Sequence, residues 1–399
     1  MKKYILLPAL VLLAVNLFSQ TGSGNSYKTA HYELFAEPGA DSSLESIGRQ
    51  LELRYGVFND FFRFEPVSHL FRVRVFANAT AYNSYVTDRL GISRPGAVYL
   101  HYSQTDRREL VILRGSADEE AMLAHQSLVQ FMRGFIQNPP SWMLEGFAIY
   151  YSSINYDQAS KEISYSENLS WLETVKRLAH GESGAKLIYP RELLLADVNA
   201  SSINYMTDAS GRVTRDFQIC SWAFVSFLLN SGTYLRTMIE SLVILSPDAT
   251  AAENSQTVMT RMSRWNDINS MNNDFIAYLN WRKTFNELIE EGSAYYTAGN
   301  NYEAKLSFMA ALEQRYDHHA PHYYLGLIHY ADKNHQLAEE YYRKSIEYGA
   351  DEALVSYAIG VNAVSADRYD DARFWLQKAA NMDPIRFKSR VDDLIQRMR

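Results

Sequence analysis

The chain has 399 residues, which is long enough for two or three domains. Apolar residues make up 47% of it and aromatic residues 13%, so it is not a disordered, collagen-like or small disulfide-stapled protein. The net charge is −7 and no block rich in Lys or Arg occurs, which argues against nucleic acid as a partner.

The first residues have the pattern of an export signal. Lys2 and Lys3 form a basic start, and a largely apolar run covers residues 4–18. This run is shorter than the roughly 20 residues that span a bilayer, so we predict a signal peptide over 1–19 and a linker over 20–26. No transmembrane segment is expected after cleavage, and the predicted location is the periplasm or cell envelope. The cleavage pattern is imperfect, so an uncleaved anchor is the alternative.

Strand-like and helix-like patterns alternate in the next part of the chain. Alternating apolar and polar residues predict strands, and apolar residues three or four apart predict helices. Strands are predicted over 31–38, 71–77, 97–103 and 109–115, and helices over 41–62 and 79–90. The last two strands are separated by a short polar turn, which is typical of a hairpin.

Helices are predicted to dominate the rest of this region. They are expected over 117–135, 141–151, 169–179, 216–229 and 234–245, whereas the polar stretches 198–215 and 246–271 are predicted as surface loops. The only cysteine, Cys220, lies in an apolar helical stretch, so we expect a buried small side chain and no internal disulfide.

Two of these helices carry a recognisable pair of patterns. The helix over 117–135 contains His125-Gln126-Ser127-Leu128-Val129, and the next begins W-x-x-EG-x-A-x-Y with Trp142, Glu145, Gly146, Ala148 and Tyr150. In this respect residues 27–284 resemble the gluzincin metallopeptidase domain, in which HExxH on one helix and a Glu on the next hold zinc. The resemblance implies an α+β domain with a small mixed sheet plus helices.

The chain departs from that family pattern at two positions. His125 matches the first ligand and Glu145 the third, but Gln126 replaces the general base and Val129 replaces the second ligand. An amide cannot deprotonate water and an isopropyl group cannot bind a metal. We therefore expect no catalytic residue and no cofactor, with His125 and Glu145 as vestiges of a metal site.

Other interpretations of these residues remain open. In one alternative, His125 and Glu145 simply hydrogen-bond each other. In another, the resemblance to gluzincins is due to chance. An active zinc enzyme would need a replacement ligand, for which His101 is the nearest candidate, since Gln130 lies about 140° around the helix from His125. In active relatives an edge strand pairs with substrate, so the resemblance implies that 97–103 or 109–115 accepts a strand.

The last third of the chain repeats itself. Gly292, Gly326 and Gly360 are spaced by 34 residues, and so are Ala304, Ala338 and Ala372. This period and these small residues resemble the tetratricopeptide repeat, a pair of helices that pack closely and stack on their neighbours. The resemblance implies an all-α solenoid of three repeats (285–318, 319–352 and 353–386) followed by a capping helix (387–399).

The first helix of each such repeat lines a concave face. By resemblance that face contains Tyr296, Tyr323, Leu327, Tyr330 and Tyr357. Tyrosines offer contact area at low entropic cost, so a protein or peptide is the expected partner. The alternative is that these rings only fill the packing between repeats.

The sequence thus predicts a gluzincin-like α+β domain followed by an all-α tetratricopeptide solenoid. The predicted function is an exported, catalytically inactive scaffold that binds proteins or peptides in the cell envelope. An active zinc metallopeptidase with a non-standard metal site is the first alternative, and a purely structural envelope protein is the second.

Overall fold

The computed structural model describes residues 25–65, 67–117, 119–156, 163–164, 169–181, 186–199, 201, 203–209, 212–264 and 267–398. The predicted signal peptide over 1–19 and most of the predicted linker over 20–26 lie outside the described residues. The chain divides into two compact units, Met1–Trp281 and Arg282–Arg399. The first contains a five-stranded sheet with helices and the described part of the second is helical, so the coarse order of an α+β region followed by a helical one is confirmed.

The sheet of the first unit mixes parallel and antiparallel strands. They are β1 (Ser26–Lys28), β2 (Tyr32–Ala36), β3 (Phe71–Phe76), β4 (Ala97–Leu100) and β5 (Glu109–Leu113), in the spatial order β1-β2-β3-β5-β4. The pairs β2–β3 and β3–β5 are parallel, whereas β1–β2 and β4–β5 are antiparallel. β5 is paired on both sides, so the expectation that 109–115 accepts a further strand is wrong, and β4 is an edge of the sheet.

Helices cover both faces of this sheet because alternate strand residues point to opposite sides. The helices that pack on the sheet are α1 (Leu44–Phe62), α2 (Ala79–Leu90) and α3 (Glu119–Phe135), and α4 (Ser141–Tyr150) packs on α3. Leu110 and Ile112 join the large core with α1 and α3, whereas Val111 between them joins a smaller core with Tyr82 and Val86 of α2. α3 therefore lies on one face of the sheet, beside the edge strand.

The remaining elements of the first unit are mostly helical. They are a short hairpin, β6 (Asn155–Tyr156) with β7 (Ile163–Ser164), and the helices α5 (Leu172–Ala179), α6 (Pro190–Leu194), α7 (Ile203–Met206), α8 (Arg215–Asn230), α9 (Gly232–Val243), α10 (Ala251–Ser263) and α11 (Ile268–Trp281). The prediction of a loop over 246–271 is wrong, because α10 occupies half of this range and α11 begins within it. Cys220 on α8 is fully buried, as expected, and burial raises the pKa of its thiol to about 12.

Helical pairs build the second unit. Its helices are α12 (Phe285–Thr297), α13 (Asn301–Gln314), α14 (His319–Ala331), α15 (His335–Glu347), α16 (Glu352–Ser365), α17 (Tyr369–Met382) and α18 (Pro384–Arg397). α12 packs on α13, α14 on α15 and α16 on α17, and each pair also packs on the helix that follows it. Consecutive pairs therefore share a continuous interior.

The 34-residue period of the sequence corresponds to repeated close contacts. A Cβ on Gly326 would lie 2.5 Å from the ring of Tyr342, so the two helices of that pair approach at a distance that only glycine permits. Gly292 meets Phe308 and Gly360 meets Leu376 in the same way. The turn after each first helix also repeats, with positive φ at Gly299, Lys333 and Asp367. The backbone keeps one shape there although the residue changes.

Candidate functional site

α3 and α4 bring His125 and Glu145 together, as the motif spacing predicts. Nε2 of His125 lies 3.8 Å from Oε2 of Glu145, which is a polar contact and too long for a hydrogen bond. The same carboxylate oxygen accepts a hydrogen bond from the Gln218 amide of α8 at 3.1 Å. Both side chains are largely buried, with 18% and 15% of their surfaces exposed.

Gly146 sets how closely Glu145 approaches α8. A Cβ at position 146 would lie 2.5 Å from the carbonyl oxygen of Ser221 and 2.6 Å from the side chain of Val225. Neither contact is compatible with a methyl group, so α4 and α8 touch at this point only because residue 146 has no side chain. The close crossing places Gln218 of α8 against Glu145 of α4.

The environment of Glu145 favours its charged form. Burial opposes ionisation, but the neighbouring His125, the Gln218 amide and the charge of Arg133 together hold the pKa of Glu145 below its ordinary value. Glu145 therefore carries a negative charge at neutral pH.

Gln126 ties α3 to the edge strand and also contacts His125. Its Oε1 accepts a hydrogen bond from the backbone N–H of Tyr99 at 2.9 Å, and its Nε2 lies 3.1 Å from Nδ1 of His125. An amide nitrogen only donates, so Nδ1 of His125 accepts and the proton of the neutral imidazole is on Nε2, facing Glu145. With this arrangement neither ring nitrogen offers a free lone pair to a metal.

Val129 and the next residue, Gln130, face the interior of the first unit. Val129 is half-buried and packs against the large hydrophobic core, where it contributes no ligand atom. Gln130 is 1% exposed and donates to the backbone carbonyl of Arg72 at 2.8 Å. Gln130 thus turns towards the sheet and away from the motif, as its place on the helix predicts. A zinc ion implied by the family resemblance does not fit this donor set.

The structure does not assemble a replacement metal site around His101. Within the described residues, no group of three or more His, Cys, Asp and Glu side chains is arranged to hold a metal ion. Nδ1 of His101 is buried and has no hydrogen-bond partner there. Burial, followed by the charges of Arg133 and Arg108, lowers the pKa of His101 to about 4, so the imidazole is neutral at pH 7.

Sequence reasoning missed two residues of this site. Gln218 reaches Glu145 from 73 positions further along the chain, and Tyr99 reaches Gln126 from 27 positions earlier. No local pattern marks either pairing. Gln126 did carry a signal, because a polar amide stands where the family pattern has a charged base.

In the second unit, the predicted partner-binding residues are all half-buried on the first helices of their pairs. They are Tyr296, Tyr323, Leu327, Tyr330 and Tyr357. Tyr323 packs near the ring of Tyr342 at 6.1 Å between centroids, and the hydroxyl of Tyr330 lies 3.2 Å from that of Ser365. The structure therefore places them in the packing between helices while leaving part of each side chain in solvent.

The five residues are not equally available. The ring of Tyr357 stacks on Phe387 of α18 at 5.1 Å between centroids. Tyr323 and Tyr330 pack in one hydrophobic cluster with Tyr342, whereas Tyr296 packs edge-on against Tyr324, at 5.7 Å between centroids, in the neighbouring cluster. Tyr323 and Tyr330 thus form one aromatic group, and Tyr357 belongs to the contact with α18.

Neither a protein-family model nor a characterised protein matches the chain in sequence. Within the described residues, no helix combines the length and the apolarity needed to cross a membrane.

Proposed function

We propose that this chain is an exported, catalytically inactive peptidase-like protein that holds protein or peptide segments in the cell envelope. In this proposal the first unit is a degenerate gluzincin-like domain. The second unit is a tetratricopeptide solenoid of three repeats closed by a capping helix, and it supplies the partner-binding face.

One observation supports the proposed loss of hydrolytic activity. The Gln126 side chain is hydrogen-bonded to Tyr99 and His125, so the residue at the position of the general base joins α3 to the edge strand instead of activating water. The same contact uses Nδ1 of His125, and Val129 removes the second ligand. Glu145 keeps its charge but contacts only His125 and Gln218.

The repeat assignment is supported by the recurrence of packing and of backbone shape. Each pair has a glycine against a large side chain of its second helix, and each first helix ends in a left-handed residue 34 positions from the next. The row of Tyr296, Tyr323, Leu327 and Tyr330 carries no charge. A partner would bind there through apolar and aromatic contacts.

Zinc content tests the first half of the proposal. We expect the dialysed wild-type protein to contain far less than one zinc per chain by elemental analysis. Rebuilding the motif as Gln126→Glu with Val129→His should create a site of three ligands with His125 and Glu145, and this variant should retain about one zinc per chain. A Val129→Leu variant is the control for a change of packing.

Two results would contradict this. One zinc per wild-type chain, lost on His125→Ala, would favour the alternative of an active metallopeptidase. A rebuilt variant that keeps the circular dichroism of the wild type and binds no zinc would remove the relation to gluzincins.

A further inference from the structure

A group of basic and aromatic side chains lies beside the edge strand, outside the His125–Glu145 contact. It consists of Tyr99 and His101 on and just after β4, Arg108 before β5 and Arg133 near the end of α3, and we name it the basic cluster. Tyr99 and His101 are two residues apart, so they project from the same side of the strand, and their ring centroids are 5.9 Å apart. Tyr99 packs against the same core as α3.

Gln137 joins the two arginines. Its backbone carbonyl accepts from Nη1 of Arg133 at 3.0 Å, and its side-chain oxygen accepts from Nη2 of Arg108 at 3.2 Å. Arg108 also donates to the carbonyls of Tyr102 and Ser103 and is 7% exposed. All these acceptors are neutral, and neither guanidinium forms an ion pair within the described part of the chain. A buried charge such as that of Arg108 is ordinarily paired, and Arg133 is half-buried beside it.

Several donors of the basic cluster are unused. Arg133 makes one hydrogen bond to the described residues, so its Nε and Nη2 are left without an acceptor there. The Tyr99 hydroxyl also makes no hydrogen bond to them, and Nδ1 of His101 is buried without a partner. Burial raises the pKa of Tyr99 to about 12 against the pull of both arginines, so its hydroxyl keeps its proton and donates.

Two carboxylates influence Arg133 without bonding to it. Glu145 and Asp197 act electrostatically on Arg133. Their hydrogen bonds go elsewhere: Glu145 accepts from Gln218, and Asp197 accepts from the backbone N–H of Ser141 at 2.8 Å and from the Ser255 hydroxyl at 2.9 Å. Nε and Nη2 of Arg133 therefore have no direct carboxylate contact within the described residues.

We propose that the basic cluster binds the carboxylate of a ligand. The guanidinium of Arg133 presents adjacent N–H groups that suit the two oxygens of a carboxylate, and the Tyr99 hydroxyl adds a third donor. Arg108 and Gln137 hold Arg133 in place. The carboxylate would come from a peptide C-terminus or from an acidic side chain. This inference is independent of whether the chain is related to gluzincins.

The test uses the full chain and sodium acetate as the probe, with sodium chloride at matched ionic strength as the reference. We expect saturable acetate binding in the millimolar range by nuclear magnetic resonance titration. Arg133→Gln should weaken it at least tenfold, and Tyr99→Phe, which keeps every charge, should weaken it several-fold. Arg107→Gln, which changes an exposed arginine of the same hairpin, should leave it unchanged.

Two short peptides separate the sources of the carboxylate. Binding of acetyl-trialanine with a free C-terminus, and not of its amide, assigns the C-terminus; binding of an amidated peptide with one internal Glu assigns the side chain. Acetate binding that is absent, or equally strong in Arg133→Gln and Arg107→Gln, would overturn the proposal. Binding of acetate but of neither peptide would also overturn the proposal. If the Arg133→Gln variant does not fold, the acetate affinity of Tyr99→Phe is the deciding measurement, and an unchanged affinity overturns the proposal.

Discussion

Two buried histidines of the second unit lack a charged partner. His322 is fully buried and His329 is 3% exposed, and Nδ1 of each has no hydrogen-bond partner in the described residues. Nε2 of His322 contacts the backbone carbonyl of Tyr316 at 2.8 Å, and the ring of His329 stacks on Tyr341. Such imidazoles are stable only in the neutral form.

These histidines should make the second unit sensitive to acid. Burial lowers the pKa of both; Lys344 and Lys305 add to this effect, and Glu347 and Asp332 oppose it. The unfolded chain takes up protons near pH 6.5 and the folded chain only at lower pH. The free energy of unfolding should therefore fall as the pH drops below about 6.5, by up to about 1.4 kcal/mol per pH unit for each imidazole.

Urea unfolding at pH 7.5, 6.5 and 5.5 measures this slope. Replacing both residues by those at the equivalent positions of the first pair, as His322→Leu and His329→Tyr, should flatten it. The exposed His180 provides a control, since His180→Gln should leave the slope of the second unit as it is. An equally steep slope in the double variant would contradict the assignment of this pH dependence to His322 and His329.

At the scale of helices, the closest approaches depend on glycine. Gly326→Ala would force a methyl group into the ring of Tyr342, which is 1% exposed and has no room to move. We expect a loss of about 1–3 kcal/mol in the free energy of unfolding.

Denaturant unfolding of matched variants measures the loss. Gly232→Ala is the control, because no atom lies within 4 Å of the added methyl at the start of α9, and it should be neutral or slightly stabilising. Equal stability of Gly326→Ala and the wild type would show that the helix pair tolerates a wider spacing.

Element prediction succeeded for most strands and helices of the first unit but missed α10. α2 matches the predicted range 79–90, and β3 and β5 lie within the predicted strands. α10 was missed because two of its four buried residues, Asn254 and Ser255, are polar, so the sequence there has the composition of a surface loop. A capping box of Thr250 and Glu253 at its start was the available signal.

The site was predictable only in part, for a related reason. His125 and Glu145 come together because each lies on a helix whose spacing is visible in the sequence. The hydrogen bonds that define their state come from Tyr99 and Gln218, which are distant along the chain. Hydrogen bonds between distant segments leave no periodic signature, so the direction of the His125 proton could be derived only from coordinates.

At the scale of the whole molecule, partner capture tests the proposed scaffold. When the full-length chain is used as bait in cell-envelope extract, we expect it to retain a partner. The double variant Tyr323→Ala, Tyr330→Ala should retain at least tenfold less of that partner. Both rings belong to the uncharged aromatic group of the second unit, so their removal deletes contact area without changing charge.

The control for capture lies on another helix. Tyr302 of α13 is 70% exposed, and Tyr302→Ala should retain the partner at the wild-type level. Thermal unfolding of each variant separates lost binding from lost folding. Unchanged capture by the folded double variant would remove the assignment of the partner to this face.

The absence of a side chain at position 146 has a consequence for the chemistry of the first unit. Glu145 meets Gln218 only while the carbonyl of Ser221 sits where a methyl group would otherwise be. The pKa of this carboxylate is set by burial, His125, Gln218 and Arg133, and the contribution of Gln218 depends on the steric room one residue away. The missing methyl group at position 146 thus lets an amide from a distant helix stabilise the charge of Glu145.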